Sequence, residues 1–422
     1  MPGAPALFEA IELRGTRFRN RLWVPALTMF TVEARDGMLT PFHHVHLGGL
    51  ALGGAGAIVA ECTAVTPEGR VTPYDLGLWD DAQRDAWRPT TAFVRDQGVR
   101  IGIQLSHGGR KSSTGRSWDR VRGTVPVADG GWPVVGPSTV PYTGYAAPRE
   151  LSNDEVRGIH RAFVAAGVRA RDAGFEFVEL HAAHGFLLHQ FLSPLANTRD
   201  DEYGGSLHGR ARLLLDVVRD LRAALGDGFP ILVRFSATDW VPGGWTEQDT
   251  ATTASWAVAA GADLFDVSTG GMVPHAEIPV FPGYQVGHAE RLRAATGAPV
   301  GAVGLVTTAD QAEAVIAEGR ADVVFVGREF LRDPRFGLRA AAELGASIDY
   351  HPLPYHRAQH RPAPHHLPRK AHPCSTSVGS SATASASTAG TGSGPATSAT
   401  TSPTRSSSST PPPRSSGPGS TS

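Results

Sequence analysis

One local pattern recurs along this chain and limits what it can fold into: a capped helix, a glycine at its end, then a short run of β-branched and aromatic residues. Ser152-Asn153-Asp154-Glu155 is a capping box, Val156, Ile159, Phe163 and Ala166 follow at helical spacing, and Gly174 precedes the run Phe175–His181. Ser206 opens a second copy, with Leu213, Val217, Leu221 and Leu225 on one face and Gly226 before Ile231–Ser236. Thr246 opens a third, closed by Gly261 before Asp263–Ser268, and Thr308-Ala309-Asp310-Gln311 a fourth, ending at Gly319 before Asp322–Gly327. Leu22–Ala26, Ile58–Val65 and Arg100–Ser106 read as strands one to three, and Pro299–Gly304 as strand seven. Thr40-Pro41 starts the first helix, and Pro89 should kink or restart the second, between Asp81 and Gly98.

These strands are apolar at nearly every position, as strands covered on both faces are. Eight such units predict an α/β fold, a (β/α)8 TIM barrel, with chemistry at the C-terminal strand ends. A doubly wound sheet is disfavoured because no Gly-x-Gly-x-x-Gly follows the first strand. Residues 110–148, rich in Gly, Pro and Trp, read as an active-site flap inserted after strand three.

Composition divides the chain into a barrel over residues 1–358 and a low-complexity segment over 359–422. From Ser375 onward the letters are almost only Ser, Thr, Ala, Gly and Pro, with Arg405 and Arg414 the sole charges, so a disordered C-terminal tail is expected. With 39 basic and 40 acidic residues the formal charge is −1, which argues against nucleic acid or an anionic membrane as partner. Cys62 and Cys374 lie in segments of different character, which speaks against a disulfide framework and for a cytoplasmic setting. The N-terminus carries no basic segment followed by an apolar one, so neither secretion nor a membrane span is indicated. Lys111 and Lys370 are the only lysines, a bias read as GC-rich codon usage.

The polar residues at strand ends are Thr28, Gln104, His107, His181, His184, Arg234, Ser268 and Arg328. Apart from the two arginines they are neutral hydrogen-bonding groups, with no carboxylate pair for hydrolysis and no lysine placed for a Schiff base. Such a set suits an organic cofactor and an electron-rich oxygen. Three readings of His181 and His184 stand: two imidazoles donating to one substrate oxygen, two metal ligands completed by an inward-turned Glu179, or structural caps of the strand. Arg234 reads as a fixed charge beside a cofactor that becomes anionic, or as a buried ion pair with Glu61 or Glu179. Gly304 and Gly327-Arg328 stand where barrels bind phosphate.

The segments His181-Ala182-Ala183-His184-Gly185-Phe186-Leu187-Leu188-His189-Gln190-Phe191-Leu192-Ser193-Pro194, Asn197-Thr198-Arg199 and Asp201-Glu202-Tyr203-Gly204-Gly205-Ser206 closely resemble the old yellow enzyme family of FMN-dependent ene-reductases. Leu39–His43, Ile101–His107, Phe281–Gln285 and Gly327–Pro334 look like its thermophilic-like subclass, and the likeness runs from about Leu7 to Arg357. The resemblance implies an oxidoreductase carrying FMN, with NADH or NADPH as hydride donor and an activated alkene as acceptor in a ping-pong cycle. It implies a flavin cradle from Pro25, Ala26, Leu27, Thr28, Cys62, Gln104 and Arg234, with the phosphate at Gly304, Gly327 and Arg328. It assigns His181 and His184 to the substrate oxygen, adds Phe30, Phe186 and Tyr284 to the substrate pocket, and makes Arg357 a candidate for insertion into a neighbouring subunit of a homo-oligomer. The family's usual proton donor, a tyrosine two residues after the second histidine, is replaced by Phe186. Tyr142, Tyr145 and Tyr284 are candidate substitutes, and desaturation or isomerisation is the alternative reaction. Phe30 and Thr28 replace the usual tyrosine and cysteine, which with Trp118 and Trp132 points to a bulky apolar substrate.

Overall fold

The computed structural model describes residues 5–358. Residues 359–422, on which the expectation of a disordered tail falls, lie outside the described residues, as does Cys374. Eight parallel strands, Leu22–Val24, Ala57–Ala64, Arg100–Ser106, Phe177–Ala182, Ile231–Ser236, Leu264–Ser268, Val300–Ala302 and Val323–Phe325, form a closed ring. The ring shuts where the first strand pairs with the second, Val24 opposite Ile58, and with the eighth, Leu22 opposite Val324. Helices intervene between the strands, as a TIM barrel requires.

The caps read from the sequence are made. Ser152, Ser206, Thr246 and Thr308 each accept a hydrogen bond from the backbone N–H three residues on, at 3.1–3.3 Å. Gly174 and Gly261 take the left-handed backbone that ends their helices, with φ of 94° and 116°. Pro89 does not restart its helix, which runs unbroken over Asp81–Asp96. Trp87, Thr90, Thr91 and Val94 bury the inner face around it, and that packing outweighs the one backbone bond proline forfeits.

Inside the ring, Trp23, Val59, Phe177, Leu232, Leu264 and Phe325 fill the lower half. Gly102 and Gly301 make the room: a Cβ on either would meet the Phe177 or Phe325 ring at 2.2 or 2.3 Å. A hairpin absent from the sequence reading, Ile11–Leu13 with Thr16–Phe18, closes this end. Leu13 and Phe18 join the same cluster, and Phe18 stacks on Trp23 at 4.4 Å between centroids. Its signal was Arg14-Gly15, both at positive φ, a two-residue hairpin turn flanked by strands only three residues long.

Beyond the third strand, the long connection includes a short parallel pairing of Val135–Gly136 with Arg149–Glu150. Buried Arg110 grips it by donating to the carbonyls of Val140 and Pro141 at 3.1 and 3.3 Å, and to Met272 O at 2.8 Å. Among the described residues, no helix is long and apolar enough to cross a membrane.

Candidate active site

Alternation along the strands carries one inward face from the apolar floor up to the C-terminal mouth. Above Phe177 come Glu179 and His181; above Leu232, Arg234 and Ser236; above Leu264, Asp266 and Ser268; above Gly102, Gln104 and Ser106. The middle layer is therefore polar and buried. Gln104 Nε2 donates to Glu179 Oε1 at 2.7 Å, and Arg234 Nε stands 2.9 Å from Asp266 Oδ2, an ion pair off the angle of a hydrogen bond. Arg234 thus pairs with Asp266 and not with Glu61 or Glu179. Glu61 turns the other way, accepting from Met29 N at 2.6 Å and facing His43 Nε2 at 3.2 Å. A register shift between Ala60 and Cys62 separates Glu61 from the inward Cys62, which lies opposite Gln104.

Burial and then the neighbouring Asp266 push the Glu179 carboxyl up to about 8, so it holds its proton at neutral pH. Burial also raises Asp266, against the pull of Arg234. A protonated Glu179 beside an Arg–Asp pair leaves the layer without net charge. Burial drives the Cys62 thiol far up, so it stays protonated.

At the mouth, His181 Nε2 and His184 Nδ1 face each other at 3.4 Å. His181 Nδ1 accepts from Ala183 N at 3.3 Å, which places its proton on Nε2. His184 Nε2 meets Ser268 Oγ at 2.7 Å. For both rings to donate to one oxygen, His184 must carry its proton on Nδ1 and accept from the Ser268 hydroxyl. Burial, reinforced by Arg234, holds both imidazoles well below their ordinary value, so both are neutral at pH 7. Glu179 faces Gln104 instead of completing a metal site with the two histidines, and among the described residues no three metal-ligating side chains gather.

His184 adopts φ of 57°, a left-handed conformation costly outside glycine. Three contacts hold it: its N–H donates to Ser236 Oγ at 2.9 Å, its carbonyl accepts from Lys111 Nζ at 2.8 Å, and Gly271 packs so closely that a Cβ there would lie 2.6 Å from the His184 Cα. Lys111 Nζ also donates to Gly271 O at 2.7 Å. Below, His189 and Asp239, both fully buried, pair at 3.2 Å and brace the loop.

The remaining candidates fall into two groups around the mouth. Pro25, Ala26, Leu27 and Thr28 follow the first strand, and a Cβ on Gly327 would come within 3.3 Å of Leu27 and 3.5 Å of Pro25. Gly304, at φ of 124°, packs under the Tyr284 ring, whose hydroxyl feels the Arg328 charge; Arg328 itself is exposed. Tyr284 therefore sits on the side of the seventh and eighth strands. Phe186 lies 4.6 Å from His181, and Phe30 meets Trp118 at 5.9 Å, centroid to centroid. Arg357 is exposed in the turn Leu353–Ala358 and contacts none of these residues within the described chain. Sequence reasoning missed Asp266, whose signal was its place two residues before Ser268 on the same strand face, and it passed over Lys111, which stands beside the histidine pair.

Glu179 Oε2 and Asp266 Oδ1, buried with no hydrogen-bond partner beside the Arg234–Asp266 ion pair, call for a polar planar partner. Gly327, half-buried beside the exposed Arg328, presents bare backbone at the end of the eighth strand, while Gly304 is buried under Tyr284 and Gln285. A flavin mononucleotide, with a hydrogen-bonding ring edge and a phosphate, fits this donor set. Barrel and site together define a flavin-dependent oxidoreductase.

The model of the NADH:flavin oxidoreductase / NADH oxidase family matches residues 6–346, and the chain belongs to that family. It is 41% identical over 353 residues to an NADPH dehydrogenase of Listeria innocua, covering 83% of this chain and 98% of the relative. Among solved structures it is similar to morphinone reductase (TM-score 0.68, 28% identity, 82% of this chain and 91% of the other). It also matches 2-naphthoyl-CoA reductase in complex with 2-naphthoyl-CoA (TM-score 0.72, 25% identity, 81% of this chain), of which it spans about half the length, 52%. The protein is an oxidoreductase of the old yellow enzyme kind, using FMN with NADPH or NADH.

Proposed function

We propose that this protein reduces activated alkenes, of the enone type, at one pocket that the nicotinamide and the alkene occupy in turn. The observation that carries this reading is the neutral His181–His184 pair, two ring nitrogens 3.4 Å apart above an electroneutral buried layer. When bound, FMN supplies the two-electron store between the two half-reactions. His181 Nε2 and His184 Nδ1 bind the substrate carbonyl and stabilise the charge that develops on its oxygen as hydride reaches the β-carbon. Arg234 would supply fixed positive charge to the flavin, which becomes anionic on reduction, and Gln104 would hydrogen-bond its polar edge. Thr28 and Cys62 line the cradle with Pro25, Ala26 and Leu27, while Gly304, Gly327 and Arg328 take the phosphate. Phe30, Phe186 and Trp118 make an apolar wall suited to a bulky substrate, with the segment 110–148 as its flap. Arg357 and a homo-oligomer, and a cytoplasmic location, belong to the same reading.

Anaerobic mixing with NADPH should bleach the flavin, and cyclohexenone should restore it. A flavin that NADPH and NADH both leave oxidised defeats the reading. Phe186 favours a second one, desaturation or isomerisation of a bulky ketone, which product analysis with oxidised enzyme distinguishes.

A further inference from the structure

Reduction of an enone needs a proton at the α-carbon, and the ring next to His181 carries no hydroxyl. We propose that Lys111 is the acid that completes the reaction in place of the missing phenol at position 186. This rests on the alkene-reductase reading above.

The argument begins with position. Lys111 Nζ is fixed by donating to His184 O at 2.8 Å and Gly271 O at 2.7 Å. These two carbonyls belong to the loops after the fourth and sixth strands, so the ammonium ties the loop that carries His184 to the loop two strands further round the barrel. It lies 5.9 Å from the centre of the Phe186 ring and 4.4 Å from that of Tyr142. Two of its three N–H bonds are used; the third is the transferable one.

Energetics agree with the geometry. The titratable groups facing Lys111 are the charged Arg110 from its own segment and, across the site, the neutral His181 and His184; Tyr142 covers it from the long connection. No carboxylate pairs with it among the described residues, and burial, then Arg110, brings the ammonium down to about 8. That is a useful acid at neutral pH: protonated before the reaction, yet able to release its proton. Backbone carbonyls hold it in place without neutralising its charge.

In the step itself, hydride that originates from NAD(P)H adds to the β-carbon and leaves an enolate whose oxygen the histidines hold. The Nζ–H bond of Lys111 breaks, directly or through one water, as the enolate electron pair forms the α-carbon–hydrogen bond. The neutral amine then takes a proton from solvent.

Because Lys111 and Lys370 are the only lysines, the group can be watched directly. In full-length protein labelled with 13C at the lysine ε-carbon, K111R identifies the Lys111 signal by its loss. That signal should titrate near 8, about two units below the ordinary lysine value. In stopped flow, the rate of enone-dependent reoxidation should fall above pH 8 in the wild type, and the inflection should vanish in K111R, which keeps the charge and can make both carbonyl bonds but holds its proton throughout. K111M should slow reoxidation at pH 7 by tenfold or more. A Lys111 signal titrating at the ordinary lysine value, or an inflection near pH 8 that persists in K111R, overturns the proposal. Failure of NAD(P)H to reduce the flavin would overturn instead the reading beneath it, while the carbon signal would still report on Lys111.

Discussion

The Nε2 atom of His184 lies 2.7 Å from the Oγ of Ser268, on the opposite side of the ring from His181. That serine, when it donates to the ring, keeps the proton of His184 on Nδ1, the nitrogen that faces His181. Its hydroxyl also stands 3.2 Å from Gln285 Oε1, so it can turn toward either partner. Replacing Ser268 by Ala should free the ring to hold the wrong tautomer, a loss of about 1 kcal/mol for the missing hydrogen bond. Titration of a phenolic or enone ligand should show binding weakened about five- to tenfold. Unchanged affinity would mean that the tautomer is set elsewhere.

Arg234 and Asp266 make the one full charge pair in the buried middle layer. Asp266→Asn leaves the guanidinium unpaired, and breaking a buried pair costs about 3–5 kcal/mol. Urea unfolding should move accordingly. Arg234→Met removes the charge proposed to stabilise the flavin and should lower the flavin retained after gel filtration, which absorbance reads.

Asp75 yields a pH prediction with a definite sign. Fully buried, its carboxyl is pushed by desolvation up to about 7, against hydrogen bonds from the Thr72 hydroxyl and Val71 N–H. The folded state therefore binds the proton more tightly than the unfolded chain, so this stability is present below about pH 4 and is lost as pH rises through 7. Relative to Asp75→Asn, the wild type should lose stability across that window by an amount on the order of a few kcal/mol. Melting curves of the two proteins from pH 4.5 to 8 check it, and parallel curves would contradict it.

Phe186→Tyr places a phenol on a ring 4.6 Å from His181. A second acid in the pocket should raise the reoxidation rate about tenfold, less than the roughly 10²–10⁴-fold a sole general acid contributes, because Lys111 already supplies a proton. Rapid mixing with cyclohexenone measures this, and an unchanged rate would show that proton supply does not limit turnover.

The barrel was legible because four helices announce their starts at Ser152, Ser206, Thr246 and Thr308, and because the strands between are apolar at most positions. The hairpin escaped notice since three residues carry no period. His181, His184 and Arg234 were legible from their places at strand ends, yet the partner of Arg234 was not. Register decides pairing across strands, and nothing local to Arg234 reveals that Asp266 lies beside it while Glu61 is turned outward by a bulge. Lys111 was hidden for a related reason: its importance lies in two backbone carbonyls contributed by loops 73 and 160 residues further along.

The closing seam of the ring has a kinetic meaning. Arg21 reaches the carbonyl of Asp322 across 301 residues, and Leu22–Val24 has no eighth neighbour until Val323–Phe325 exists. A chain emerging from the ribosome must keep its first strand's free edge waiting until nearly the whole barrel has been made. Truncation before Phe325 would therefore not trim the enzyme by one strand but expose two raw edges. In this architecture the first and last strands each lack a partner until the circle is complete at that seam.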